Sequence, residues 1–201
     1  MTAEPSHRIT PEEYLAMEES ALTRSEFVDG LIMAMSGNTL PHVRIVRNLL
    51  VELDGQLRGK PCEVLSNELK VKVELTGDYF YPDLVGYCGT PIFERPNQIT
   101  LLNPALLIEI LSPSTEAYDR GEKFLHYQQI PTLREYVLVS QEAARVELYT
   151  RGENSAWIYK VVSGPDASVT FESIDCAVSL ADIYRDVEFE RQTVGGAPKQ
   201  G

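Results

Sequence analysis

The 201 residues carry 18 lysines and arginines against 30 aspartates and glutamates, a formal net charge of −12, with 43% hydrophobic and 24% charged residues. That balance suits one packed domain and excludes the composition of a disordered chain. It also excludes broad charge-driven adhesion to nucleic acid or anionic membrane, because either polyanion is repelled at long range unless a local basic patch intervenes.

Thr10-Pro11-Glu12-Glu13 reads as a capping box with proline in the first helical position, opening a short helix to about Glu19. Glu26-Phe27-Val28 and Leu31 to Met35 flank Asp29-Gly30, a dipeptide suited to a tight hairpin turn. From Leu40 to Leu57, the residues Val46, Leu49, Leu50, Leu53 and Leu57 recur at helical spacing and Gly59 supplies a stop. Between Glu63 and Leu75 hydrophobic residues alternate with Glu68, Lys70 and Lys72, the pattern of a half-buried strand. Tyr81 to Tyr87 and Ala105 to Leu111 read as buried central strands. Ser112-Pro113-Ser114-Thr115 breaks the chain before a helix from about Thr115 to Gln129, and Glu135 to Val139 resumes a strand, which implies a parallel crossover. Arg145 to Tyr149, Ala156 to Val162 and Ser168 to Phe171 read as an antiparallel meander, followed by a helical turn around Leu180 to Tyr184. The expected architecture is one α/β domain over residues 1–190, with 191–201 a disordered tail.

No apolar run reaches the roughly 18 to 20 residues that cross a bilayer. The N-terminal stretch lacks a basic head followed by apolar residues, so the expected compartment is the cytoplasm. Cys62, Cys88 and Cys176 are odd in number, widely separated and form no CxxC pair. They are expected to be reduced and buried rather than bridged or metal-bound.

Two acids interrupt the apolar runs. Asp83 and Glu109 must each be paired, protonated or bound to a cation, since an isolated buried charge costs several kcal/mol even after relaxation, about the scale that decides a fold. If their strands are neighbours, both carboxylates can converge on one point as the hard oxygen ligands that Mg²⁺ prefers, with the Ile110 backbone carbonyl completing the protein's share. Taken singly, Asp83 could equally cap a turn after Pro82, and Glu109 could pair with an arginine.

A wider string then resembles a known family. Glu26-Phe27-Val28-Asp29-Gly30, His42 with Asn48-Leu49, Tyr81-Pro82-Asp83-Leu84-Val85, Leu107 to Thr115, Asp119 with Lys123 and Tyr127, and Glu135-Tyr136 together look like the Uma-type restriction endonucleases of the PD-(D/E)XK nuclease superfamily. The resemblance spans about Thr10 to Tyr184. It implies a restriction-endonuclease-like core with a mixed central sheet flanked by helices and extra antiparallel strands. It also implies Asp83 and Glu109 as ligands of Mg²⁺, with Mn²⁺ as substitute, and DNA as substrate. Such nucleases usually place a lysine two residues after the second acid, where this chain has Leu111. The family pattern moves that role to Lys123.

Projection of one continuous helix at about 100° per residue puts Phe124, Gly121, Gln128 and Leu125 on the core side and Lys123 nearer solvent. There it would only pair with Asp119 four residues earlier. Glu26 reads as a third carboxylate or a solvated hairpin charge, His42 as a phosphate or metal-water contact or a structural helix-start residue, and Tyr127 as a substrate contact or core packing. His7 and His126 join no constellation. Lys70 and Lys72, with Arg44 and Arg47 on the preceding helix, form the best candidate backbone-binding surface or else an ordinary solvated face. The expected activity is metal-dependent DNA cleavage. The alternative is an inactive nuclease-like module that binds DNA or a protein partner, in either case with a homodimer as the candidate assembly.

Overall fold

Thr10 opens α1 (Pro11–Glu18): its hydroxyl accepts from the Glu13 N–H, and the Glu13 carboxylate accepts from the Thr10 N–H in return. This computed structural model describes residues 8–189 apart from 36, 67, 96, 97 and 165, so His7 and the C-terminal tail lie outside the described residues. Strands β1 (Ser25–Val28) and β2 (Leu31–Ala34) pair with Val28 opposite Leu31. Asp29 and Gly30 make the turn at φ 51° and 81°, the left-handed pair that such a hairpin needs. Helix α2 (Leu40–Leu57) is capped by the Thr39 hydroxyl and buries Ile45, Leu49, Leu53 and Leu57.

Two stretches that read as single strands are each divided. The alternating segment becomes β3 (Cys62–Ser66) and β4 (Lys70–Val73), which belong to different sheets, with a turn closed by Leu69 N–H on the Ser66 carbonyl. Alternation survives across the turn, so periodicity cannot register it. The next apolar run becomes β5 (Asp78–Phe80) and β6 (Leu84–Cys88), linked through Tyr81-Pro82-Asp83. Pro82 has no N–H for a ladder, which favours a break there, and Asp83 precedes its strand instead of lying inside it.

Strands β7 (Phe93–Arg95) and β8 (Gln98–Leu101) then form a hairpin without a strong sequence signal. Strand β9 (Leu106–Leu111) leads through α3 (Glu116–Arg120) and α4 (Glu122–Tyr127) to β10 (Glu135–Ser140), which pairs parallel to β9 as the crossover requires. Strands β11 (Arg145–Arg151) and β12 (Trp157–Ser163) continue antiparallel. The meander stops there: β13 (Ser168–Phe171) pairs instead with β14 (Cys176–Ser179) as a separate ribbon before α5 (Leu180–Ile183).

One sheet runs β2-β1-β5-β4-β8-β7 and the other β12-β11-β10-β9-β6-β3. Successive residues of β9 divide between two cores, as a period of two demands. Leu106, Ile108 and Ile110 join α2 and the β13–β14 ribbon. Leu107 and Leu111 join Phe124, Tyr127 and Tyr136 together with Val71, Phe80 and Leu101 of the other sheet. Glu109 therefore occupies a core position between Leu107 and Leu111.

Cys62 and Cys88 correct the expectation of three free thiols. They sit directly opposite one another on β3 and β6 and are joined by a disulfide, while Cys176 is free and buried. A pairing across 26 residues depends on strand register, which cysteine spacing does not report. Among the described residues no helix is long and apolar enough to cross a membrane.

Candidate active site

Strands β6 and β9 are antiparallel neighbours with Leu84 opposite Ile108, so the next step along that register brings Asp83 opposite Glu109. Both acids fall on the sheet face shared with Val85 and Leu107. The backbone fixes the first: Asp83 Oδ2 accepts from the Ile110 N–H at 2.8 Å. His42 Nε2 lies 3.1 Å from both Asp83 carboxylate oxygens, and the His42 backbone N–H donates to the Thr39 hydroxyl that caps α2. His42 Nδ1 has no hydrogen-bond partner among the described residues.

The second acid is gripped from α4. Lys123 Nζ and the Tyr127 hydroxyl each lie 2.9 Å from Glu109 Oε1. Lys123 also reaches Glu26 Oε1 at 2.9 Å and Asp119 at 3.9 Å. Glu26 Oε1 accepts in addition from the Tyr81 N–H at 3.0 Å, tying the β1 carboxylate to the segment that precedes Asp83.

Lys123 is thus buried at 5% exposure, against the projection that placed it toward solvent. The reason is local. At Gly121 the backbone leaves the helix (φ −110°, ψ −97°), separating α3 from α4. The break resets the phase, so Lys123, Phe124 and Tyr127 face inward while Leu125 is 61% exposed. The Asp119–Lys123 pair does form, but inside the protein, as the weakest of the lysine's three contacts.

Burial raises the Glu109 carboxyl well above its ordinary range, with Lys123 opposing that rise and Asp119, Asp83 and Glu26 adding to it. Desolvation also raises Asp119. Burial alone would depress Lys123, yet Glu109, Glu26 and Asp119 outweigh it and hold the ammonium well above the usual lysine value. Tyr127 is pushed up by burial and by Glu109, so it remains a hydroxyl donor.

Glu26, His42, Asp83, Glu109, Ile110, Asp119 and Lys123 all line one cavity of about 320 Å³, whose rim includes exposed Met35, Asn38 and Ser114. Four carboxylates against one ammonium leave it short of positive charge, which is the donor set a hard divalent cation fits. Tyr118 was missed by sequence reading. Its hydroxyl is buried at the cavity without a hydrogen-bond partner among the described residues, as is the Gln141 amide nitrogen. A tyrosine flanked by Ala117 and Asp119 carries no signal of such a role.

The proposed basic surface is not assembled. Lys70 is buried against the rings of Tyr14, Tyr79 and Tyr81, and Lys72 is neutralised by Glu94 beside the Tyr79 hydroxyl. Alternation assigned these lysines to a solvated strand face, but tyrosines and Glu94 cover that face. Arg44 donates to the Asp186 carbonyl at 2.6 Å, and Arg47 binds Asn48 Oδ1 and approaches the Asp186 carboxylate at 3.6 Å. Both arginines fasten α2 to the chain's later turns.

Comparison with known proteins agrees with this architecture. The family described as Uma2, putative restriction endonuclease, matches residues 11–181. Two uncharacterized proteins of Synechocystis sp. are 34% and 32% identical, over 92% and 81% of this chain and 96% and 92% of theirs. A solved structure titled as a putative nuclease belonging to DUF820 from Anabaena variabilis shares the fold at a TM-score of 0.73 and 20% identity, covering 88% of this chain and 97% of that one. The crossover that presents Glu109 and Lys123, and the hairpin that presents Glu26, all lie within the matched residues, and the chain belongs to the Uma2 family of putative restriction endonucleases.

Proposed function

We propose that the protein is a divalent-cation-dependent endonuclease that hydrolyses phosphodiester bonds in DNA. The observation that carries this reading is the pair of acids on adjacent strands, Asp83 and Glu109, opening into one cavity with Lys123 2.9 Å from Glu109.

Asp83, Glu109 and the Ile110 carbonyl would hold Mg²⁺, with Mn²⁺ as substitute. The chemistry supplied by that ion, when bound, is activation of water and neutralisation of phosphate charge. The chain does the rest. The Ile110 N–H and His42 fix the Asp83 carboxylate. Tyr127 and Lys123 both engage Glu109 Oε1, so they orient that carboxylate through one oxygen. Lys123 keeps its proton and can hold a phosphate oxygen as negative charge builds there. Glu26 and Asp119 keep the ammonium aimed at the cavity. Tyr118 Oη and Gln141 Nε2 are donors available to a phosphate or its water. Hydrolysis forms a bond from water oxygen to phosphorus and breaks one phosphorus–ester oxygen bond, the departing oxygen taking a proton.

The test is incubation of the purified protein with plasmid and branched DNA in Mg²⁺ or Mn²⁺, against Asp83→Ala and Glu109→Ala. Loss of cleavage by at least about a hundredfold in each variant is expected. Cleavage that survives both overturns the assignment.

One observation favours a second reading, a nuclease-like module that binds DNA or a protein partner without cutting. The ammonium is already engaged by Glu109 and Glu26, and the strand position two residues after Glu109 holds Leu111. Calorimetry separates the two. A working site takes up Mn²⁺ and loses it in Asp83→Asn, whereas a scaffold gives no heat in either form.

A further inference from the structure

We propose a second, zinc-class cation site near Phe80, made of Asp29, Asp78 and His126. These three residues belong to the β1–β2 turn, the start of β5 and the end of α4. One donor atom from each lies within 4.8 Å of the other two. His126 Nδ1 and Asp78 Oδ2 are 2.8 Å apart.

That short contact is not a satisfied hydrogen bond. Both atoms are buried, and neither has a hydrogen-bond partner among the described residues. The distance is adequate, so the direction is what fails. With Nδ1 unprotonated, the two atoms present lone pairs to one point, as donors of a shared coordination shell do. Donors bound tetrahedrally to Zn²⁺ at roughly 2.0 to 2.2 Å sit about 3.3 to 3.6 Å from one another, so a small outward shift of the imidazole from Asp78 would seat the ion.

Asp78 is 1% exposed, and a carboxylate oxygen at that depth whose one neighbour within reach is an imidazole nitrogen outside hydrogen-bond geometry favours a cation between the two. Its other oxygen is occupied, accepting from the Asp29 N–H at 2.9 Å. This bond orients Asp78 and draws the turn against it. Asp29 is exposed at the cluster's solvent side, so water can complete the shell there. Imidazole with two carboxylates suits Zn²⁺ and its Co²⁺ surrogate better than Mg²⁺.

A cation here would fasten α4 to the β1–β5 ladder, in which Phe27 lies opposite Tyr79 beside the cluster. In α4, His126 lies one turn beyond Lys123 and stacks near Phe80 with ring centroids 5.7 Å apart. The site is therefore structural: it would lock the short helix that delivers the buried ammonium. It does not depend on the cleavage reading.

The test is a Zn²⁺ titration of metal-free, full-length protein followed by calorimetry and by melting temperature, in an Asp83→Asn background so that the other cavity does not contribute. One equivalent bound with a raised melting temperature is expected. Asp29→Asn should weaken binding by about tenfold or more, and His126→Gln likewise. Asn tolerates the left-handed turn conformation as Asp does, so Asp29→Asn remains decisive if His126→Gln does not fold. No Zn²⁺ uptake by Asp83→Asn, or equal affinity in Asp29→Asn, overturns the site. Mg²⁺-dependent DNA cleavage by the wild type is a separate measurement, so failure of either proposal leaves the other standing.

Discussion

Lys70 and Lys123 are both buried lysines, at 8% and 5% exposure, yet their surroundings drive them in opposite directions. Lys70 lies 5.1 to 5.8 Å above three tyrosine ring centres, with no carboxylate in ion-pair distance among the described residues. Burial dominates and lowers its pKa. Lys123 touches two buried carboxylates at 2.9 Å, and they override a greater desolvation. Burial alone does not identify a working lysine. What separates the two is whether the protein has invested acids in keeping the charge.

The largest effect should come from Lys123→Met, which strands Glu109 and Glu26 without their cation. A loss of about 3 to 5 kcal/mol in urea unfolding at neutral pH is expected. Acid should restore part of it. Glu109 has a folded pKa raised by burial, and a carboxyl of that kind binds protons more tightly folded than unfolded. Stability therefore rises as pH falls through the raised value, and the gain is complete below the unfolded one. A Lys123→Met midpoint in chelator that does not rise between pH 8 and 5 would break the account of Lys123.

Glu26→Gln should be milder. The amide oxygen still accepts from the Tyr81 N–H and Lys123 retains Glu109, so a cost of about 1 to 2 kcal/mol is expected, together with slower cleavage. An unchanged rate would remove Glu26 from the machinery.

The smallest effect should be that of Lys70→Met. Its thioether stem still packs on the tyrosines while the desolvated charge disappears, so stability at pH 7 should stay within about 1 kcal/mol or improve. The sign with pH is opposite to that of a paired lysine. A folded pKa below the ordinary lysine value means that the wild type gains stability as pH rises from the lowered value toward the ordinary one. Lys70→Met should lack that increment in thermal melts. DNA affinity and its salt dependence should not change either. A steep loss on Lys70→Met would return this residue to the phosphate-binding role.

Local grammar was the most legible part of the fold. The reciprocal cap at Thr10 and Glu13, the Asp29-Gly30 turn and the α2 stripe depend on neighbours within a few residues, and each formed where its residues dictated. Asp83 and Glu109 were visible because charge interrupts an apolar run. The positions that misled were those decided by distant chain. Lys123 was obscured by a helix projected straight through Gly121. A Cβ at that position would stand 3.1 Å from the Ala117 carbonyl, and the glycine itself was the available signal for the kink. His126 looked isolated because its partners come from residues 29 and 78. Lys70 and Lys72 alternate like surface residues, and nothing local announces the tyrosines that cover them.

The division of labour between β9 and α4 has a consequence for how the site is built. Leu111 occupies the same sheet face as Glu109 and is buried in the core, so the strand gives its next inward seat to packing and the helix brings the ammonium. Because the helix reaches the same carboxylate, acid and ammonium meet without sharing a strand, and the backbone of either element can shift without moving the other's residue in register. The chemistry belongs to a point in space, and the chain has freedom over which segment supplies it.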